Sequence, residues 1–286
     1  MEVKFLITGS NGQLAREFIR VLAATNHDVI APSEAKLDIS EPNLVHEVVS
    51  QNKPQVIINC AAYNLVDKAE EEFDAACRVN ASGARNLAIA SKEHNALLVH
   101  FSTDYVFDGS KEDFYTEDDP PNPLNNYGKS KLLGERLVTE QMDDYLLFRL
   151  SWVFGEGRQN FLYNLLKWAE KSQTLKVVCD EISVPTYTED IAEVTMLAVA
   201  NELRGIFHLT NGGYATRYEV ARYFFEKLGV EKLILPVSSE YFPTATKRPP
   251  FSAMSNRRIS EALSLHIPDW RNGVDRFIEN ILWRIR

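Results

Sequence analysis

The sequence predicts an α/β protein built on a doubly wound parallel sheet, with a smaller α+β region in its C-terminal part. Three observations carry this. Over the first 150 residues, short apolar runs alternate with longer stretches of helical spacing, the order produced when helices cover both faces of a parallel sheet. Runs such as VKFLIT (3–8), QVIINC (55–60) and ALLVHFS (96–102) are apolar at successive rather than alternate positions, so each strand is buried on both faces. After residue 152 the rhythm breaks.

Taken in chain order, the strands expected in the first part are 3–8, 28–31, 55–60, 96–102 and 145–150. The first helix, 12–26, repeats apolar residues at 14, 18, 19 and 22. The helix over 41–52 has Pro42 at its start, where proline is tolerated. Helices are also expected over 80–95 and 126–141. Beyond residue 152 the pattern predicts a helix over 160–171, a strand over 174–178, and a helix over 184–202 with Thr188 as N-cap and Glu189 and Asp190 in its first turn. A strand at 205–210 and a helix at 216–229 ended by Gly229 follow. Residues 236–258 read as irregular, and a helix near 271–284 closes the chain. The division expected is a dinucleotide-binding domain over 1–152, to which 183–212 returns, and a substrate-binding domain from 153–182 and 213–286.

Composition narrows the function classes. The chain has 286 residues, enough to bury a core without disulfides or metals. A net charge of −9 disfavours a general nucleic-acid binder. It leaves room for a phosphorylated ligand, because phosphates are held locally by backbone N–H groups and one or two basic side chains. The three cysteines, Cys60, Cys77 and Cys179, are odd in number and far apart, and the six histidines show no ligand spacing, so neither a disulfide framework nor a zinc site is indicated. The N-terminus MEVKFLITGSNGQ lacks an apolar leader and no window reaches 18 apolar residues. The expectation is a cytoplasmic protein with no membrane partner.

The chemistry-bearing residues gather at one edge. LITGSNGQLARE (6–17) follows a strand and opens a helix, with Gly9 and Gly12 spaced to let backbone N–H groups approach a pyrophosphate. Asn11, Gln13 and Leu14 belong to the same turn, and Ala15 takes the close-packing position. This is the opening of a Rossmann-like βαβ unit. After the second strand, Ser33, Glu34 and Lys36 are mixed in character and leave NADPH against NADH open. LDI (37–39) places Asp38 and Ile39 for the adenine. The loops at 59–70, 101–110 and 127–131 all follow strands or open helices at the carboxyl edge of the sheet, where such sheets bind ligands. Tyr127 and Lys131 lie four apart on one helix face.

With Thr103 and the glycine turn, the Y-x-x-x-K pair resembles the extended short-chain dehydrogenase/reductase superfamily. Within it, NGQLA, AAYNLVDKAE, STDYVFDG, YGKSKLLGE, RLSWVFG, VPTYTEDIAE and RPPFSAMSN resemble the dTDP-4-dehydrorhamnose reductase family over nearly the whole chain. STDYVFDG followed about 20 residues later by YGKSKLLGE is specific for it, which Y-x-x-x-K alone is not.

The resemblance implies reduction of the C4 ketone of a dTDP-6-deoxy-hexose with hydride from NADPH, NADH also being possible. Tyr127 would be the general acid and Lys131 would lower its pKa and bind the nicotinamide ribose, while Thr103 would orient the carbonyl oxygen. Asp104 and Trp152 would contact the sugar, and Ala61, Ala62 and Tyr63 would line the cofactor. Trp152 also fits plain core packing, and Arg248 fits either a diphosphate clamp or a solvated charge. Some members dimerise through a magnesium ion held by glutamates. Glu17 and Glu189 stand at two matching positions, no third is found, and both read as exposed helix-start carboxylates, so no metal is expected. Asn64 stands where some members carry Thr. A monomer or homodimer acting on a nucleotide sugar is expected. The rivals are another nucleotide-sugar reductase, epimerase or dehydratase, and a non-catalytic cofactor-binding subunit.

Overall fold

A computed structural model describes residues 2–157 and 159–285. In chain order the elements are β1 (Lys4–Thr8), α1 (Gln13–Ala23), β2 (Asp28–Ile30), α2 (Pro42–Asn52), β3 (Val56–Asn59), α3 (Phe73–Cys77), α4 (Ala84–Glu93), β4 (Leu97–Thr103), α5 (Asn126–Gln141) and β5 (Tyr145–Leu150). Then come β6 (Val153–Phe154), α6 (Phe161–Lys171), β7 (Thr174–Val178), β8 (Ile182–Ser183), β9 (Thr186–Tyr187), α7 (Thr188–Ala200), β10 (Gly205–His208), β11 (Ala215–Thr216), α8 (Arg217–Leu228), β12 (Leu233–Val237), α9 (Arg257–Leu263) and α10 (Trp270–Ile285).

The main sheet runs β10-β5-β4-β3-β1-β2, with every neighbouring pair parallel. The reversal of order at β1 and β3 opens the crevice in which such sheets hold ligands. The unbroken apolar runs feed two faces. Phe5, Ile7, Val99, Phe101 and Phe148 pack with Phe18 and Leu22 of α1 and Ile191 of α7. Leu6, Ile57 and Leu98 face Val45, Val49, Leu87 and Val138 on α2, α4 and α5. A separate cluster of Phe154, Leu162, Leu165, Phe224, Trp270 and Phe277 is drawn from the later elements.

Three local expectations are corrected. The helix expected over 80–95 begins earlier, because α3 runs through a π-helical stretch at 78–83 into α4. The region read as irregular opens on the last two residues of β12, whose Pro236 sits in a two-stranded sheet with β7, at an edge where its missing N–H is tolerated, and closes on the first turn of α9. Thr188 is the first residue of α7 rather than its cap. Its buried hydroxyl finds no partner among the described residues. No helix among the described residues is long and apolar enough to cross a membrane.

Candidate active site

The carboxyl edge of the sheet is shaped first by Gly9. Its φ is +65°, and a Cβ there would stand 2.7 Å from the backbone nitrogen of Ala61. Only glycine lets the β1 turn close against the β3 loop. Helix α1 then begins at Gln13 with no side-chain cap and no acidic residue in its first turn. Its leading N–H groups and dipole are therefore left for an anion. Gln13 donates through Nε2 to the Val153 carbonyl at 3.1 Å, while its buried Oε1 has no partner among the described residues. Glycine cradle, uncapped helix start and orphaned acceptor fit a dinucleotide.

A cavity of about 650 Å³ opens from this turn. Gly12, Gln13, Leu14, Ala61, Ala62, Thr103, Tyr127, Lys131 and Trp152 all face it. Other expected cofactor residues stand elsewhere. Asn11 is exposed and borders a neighbouring cavity of about 960 Å³. Asp38 accepts from the Ser40 N–H at 2.9 Å and so closes its own turn. Ile39 is 3% exposed, with its side chain packed over Gly83. Its side chain belongs to the core cluster on that face of the sheet. Tyr63 donates to Glu72 at 2.6 Å, which with burial pushes its pKa up to about 12. Its ring is thereby drawn away from the cavity.

Helix α5 delivers the Tyr–Lys pair. Asn125 caps it by accepting from the Gly128 N–H at 2.8 Å. A Cβ at Gly128 would overlap the carbonyl oxygen of Tyr105, so glycine is what lets the helix seat against the β4 loop. Tyr127 is half-buried, and its hydroxyl donates to Asn64 Oδ1 at 3.4 Å. Lys131 is 2% exposed and donates to the Phe101 carbonyl at 2.5 Å. Burial lowers its pKa to about 8, with Glu135 opposing.

Burial, aided by the charge of Asp104, pushes the Tyr127 phenol upward, and a hydrogen bond with Thr103 opposes the rise. Among the described residues the Lys131 ammonium bonds the Phe101 carbonyl of β4 and not the phenol. The consequence is chemical: the phenol holds its proton at neutral pH, as a donor must.

Thr103 and Asp104 line the same cavity. Thr103 donates its one proton to Asp104 Oδ1 at 3.1 Å and accepts from the Tyr105 N–H at 3.2 Å. Asp104 is 2% exposed, and its Oδ2 accepts from Ser183 at 2.8 Å and Ser252 at 2.6 Å. Its carboxylate is held by protein hydroxyls in the wall of the cavity, which Asp104 also lines. Burial raises its pKa while those three hydroxyls oppose the rise.

Trp152 is not plain core. It is half-buried, at a left-handed φ of +36°, and faces the cavity. The Arg217 guanidinium lies 4.4 Å from its ring centroid and 5.2 Å from that of Phe161. Arg217 was not foreseen, although a cation at the first position of a helix opposes the dipole and so signals another duty. Its carboxylate, Glu181, is 3.7 Å away. Arg248 is paired with the half-exposed Asp67 at 2.7 Å and does not border the cavity, so the structure does not bring it to the site. Asn80 was also unforeseen. From the π-helical stretch it bonds the Tyr63 N–H (2.9 Å), the Tyr63 carbonyl (3.1 Å) and Ser130 (3.0 Å), pinning the 61–64 loop to α5. Such π-turns recur at functional sites.

Glu17 is not an exposed helix-start carboxylate. It is 5% exposed and paired with Arg20 at 2.5 Å. Glu189 is held by Arg20 at 3.1 Å and Arg276 at 3.0 Å.

Comparison with known proteins agrees with this geometry. The RmlD substrate binding domain family matches residues 3–282. The spore coat polysaccharide biosynthesis protein SpsK of Bacillus subtilis is 39% identical, over 96% of this chain and 97% of that protein. A dTDP-4-dehydrorhamnose reductase of Burkholderia thailandensis is 36% identical, over 98% of this chain and 99% of that one. The crystal structure of the Bacillus anthracis dTDP-4-dehydrorhamnose reductase in complex with NADP superposes with a TM-score of 0.95 at 36% identity, covering 98% of this chain and 100% of that one. The family match over residues 3–282, the identity over nearly the full length of both chains and the close superposition agree, and the chain belongs to the RmlD family of dTDP-4-dehydrorhamnose reductases.

Proposed function

We propose that the protein reduces the C4 ketone of dTDP-4-dehydro-L-rhamnose to dTDP-L-rhamnose with NADPH, in the supply of rhamnose for cell-surface polysaccharide. The observation that carries this is the Tyr127 phenol, kept protonated by burial on the cavity that the glycine turn also borders. The bound nicotinamide supplies a hydride. The chain's residues do the rest. Gly12, Gln13 and Leu14 hold the dinucleotide diphosphate on the α1 terminus. Lys131 presents a buried ammonium for the ribose. As C4 takes the hydride, negative charge gathers on its oxygen and the Tyr127 Oη proton moves there, leaving a phenolate that solvent reprotonates. Thr103 holds the phenol oriented, and Asn64 is its second polar neighbour. Trp152 packs on the sugar, and Arg217 pairs with the nucleotide diphosphate in place of distant Glu181.

The NADP-bound relative supports NADPH, with NADH as the secondary cofactor. The division into a dinucleotide-binding part (1–152 with 183–212) and a substrate-binding part (153–182 with 213–286) suits a cavity bordered by both. We place the enzyme in the cytoplasm, as a monomer or homodimer. Dehydration is disfavoured because Asp104 is followed by Tyr105 rather than a second acid.

The test is to mix the protein with NADPH and dTDP-4-dehydro-L-rhamnose and follow loss of reduced-nicotinamide absorbance. Loss is expected. Oxidation only with a different keto-sugar nucleotide would overturn the substrate, and no oxidation with any would favour the cofactor-binding subunit.

A further inference from the structure

Behind Thr103, a carboxylate and three serine hydroxyls from separate parts of the chain form one buried unit. Asp104 follows β4, Ser151 follows β5, Ser183 ends β8, and Ser252 comes from the segment between β12 and α9. Their exposures are 2%, 2%, 0% and 2%. The Val184 N–H donates to Ser151 Oγ at 3.2 Å, and Ser151 is in short contact with Ser183. Ser183 and Ser252 both donate to Asp104 Oδ2, and Thr103 donates to Oδ1. Ser252 Oγ also lies 3.0 Å from Ser183 Oγ, so the hydroxyls form one connected network around the carboxylate.

The segment carrying Ser252 is strapped across the site. The Ser252 N–H donates to the Ile182 carbonyl and the Ile182 N–H to the Pro250 carbonyl, each at 2.9 Å. The Tyr115 N–H donates to the Ala253 carbonyl at 2.9 Å. Asn125, the cap of the Tyr127 helix, donates to the Lys247 carbonyl at 2.9 Å. One strap therefore touches both the residue that aims Thr103 and the start of the helix that aims Tyr127.

We propose that Ser183 and Ser252 are positioning residues for ketone reduction: by holding Asp104 Oδ2 they turn Oδ1 onto Thr103 and fix the Thr103 hydroxyl against Tyr127. The inference rests on the reductase reading above. A buried carboxylate with three donors is stable only while those donors remain, so loss of either serine frees Asp104 to rotate. The titratable groups facing Asp104 are Tyr105 and Tyr127, with Arg217, Glu181 and Arg248 acting on Tyr105. None forms an ion pair with Asp104 among the described residues.

The test uses Ser252→Ala and Ser183→Ala in the full chain, assayed with NADPH and the 4-keto sugar nucleotide. Both variants should lose between about tenfold and a hundredfold in kcat, the scale of a small misplacement. NADPH affinity by fluorescence titration should stay near wild type, and the melting temperature should fall by only a few degrees, the cost of one lost donor to a buried carboxylate, with the protein still folded at the assay temperature. The acid limb of the kcat–pH profile should move to higher pH, because a carboxylate that loses hydroxyl donors is harder to ionise. Wild-type kcat and an unmoved acid limb in both variants would overturn the proposal. Kcat loss matched by equal loss of NADPH affinity or of the folded state in both variants would also overturn it, by making the unit fold glue. A wild-type protein that turns over while the variants are unaffected sinks only the serine role. A wild-type protein inert toward every keto-sugar nucleotide sinks the reductase reading itself.

Discussion

At the residue scale, the site is governed by what burial does to two ionisable groups. Tyr127 is pushed up and stays a phenol, so Tyr127→Phe removes the proton donor and little else. A loss of about 10² to 10⁴ in kcat is expected, with NADPH binding retained by fluorescence titration. Retained turnover would take Tyr127 out of the acid role. Lys131 is pushed down to about 8 by burial, from 10.5. Its charge is present below pH 8 and lost above, so kcat/KM for NADPH should fall as pH rises through about 8; a flat profile to pH 10 would contradict this. The same shift has a stability sign. The folded pKa lies below the unfolded one, so the buried charge costs stability below about pH 8, and the cost fades as pH approaches 10.5. Lys131→Met should therefore melt a few degrees higher than wild type at pH 7 while losing activity; a lower midpoint would argue that the bond to Phe101 dominates. Arg217→Ala should raise the KM for the sugar nucleotide about tenfold or more with kcat nearly kept, since it removes a charge-assisted contact shared by ground and transition states.

At the element scale, α5 carries the chemistry and is held by more than its apolar face. Its Glu135 makes two bonds to Arg149 of β5, at 3.0 and 2.7 Å, with both side chains 4% exposed. Breaking a buried pair from one side leaves an uncompensated charge and costs about 3–5 kcal/mol. Glu135→Leu should unfold at markedly lower denaturant by circular dichroism, even though it touches neither ligand. A near-wild-type midpoint would show that Arg149 finds another partner. The span of this helix, 126–141, was legible in the sequence because helical spacing is a local signal, while its Asn125 cap was found only in the structure. The π-helical stretch at 78–83 and the strand β12 were not legible. The first depends on the fit of Asn80 between the 61–64 loop and α5, and the second on a partner strand nearly 60 residues away.

At the scale of the whole molecule, the sheet is completed by late sequence. β10 pairs with β5, and Ile191, Ala192, Val194, Ala198, Phe207 and Leu209 belong to the same core as β1 and β4. A chain cut after residue 152 would expose β5 as a bare edge and strip that face. It should fail to give a cooperative melt; a soluble, two-state 1–152 fragment would refute this. The sequence by itself determined the parallel sheet, the glycine turn and the Thr103, Tyr127 and Lys131 positions, because apolar runs, turn residues and i,i+4 spacing act over a few residues. The tertiary structure alone decided what these groups can do. It bound Lys131 to Phe101, gave the Thr103 proton to Asp104, buried Ile39 and brought Arg217 over Trp152. Protonation and hydrogen-bond direction depend on which distant groups share a buried volume, and adjacency of that kind is set by packing across the whole chain.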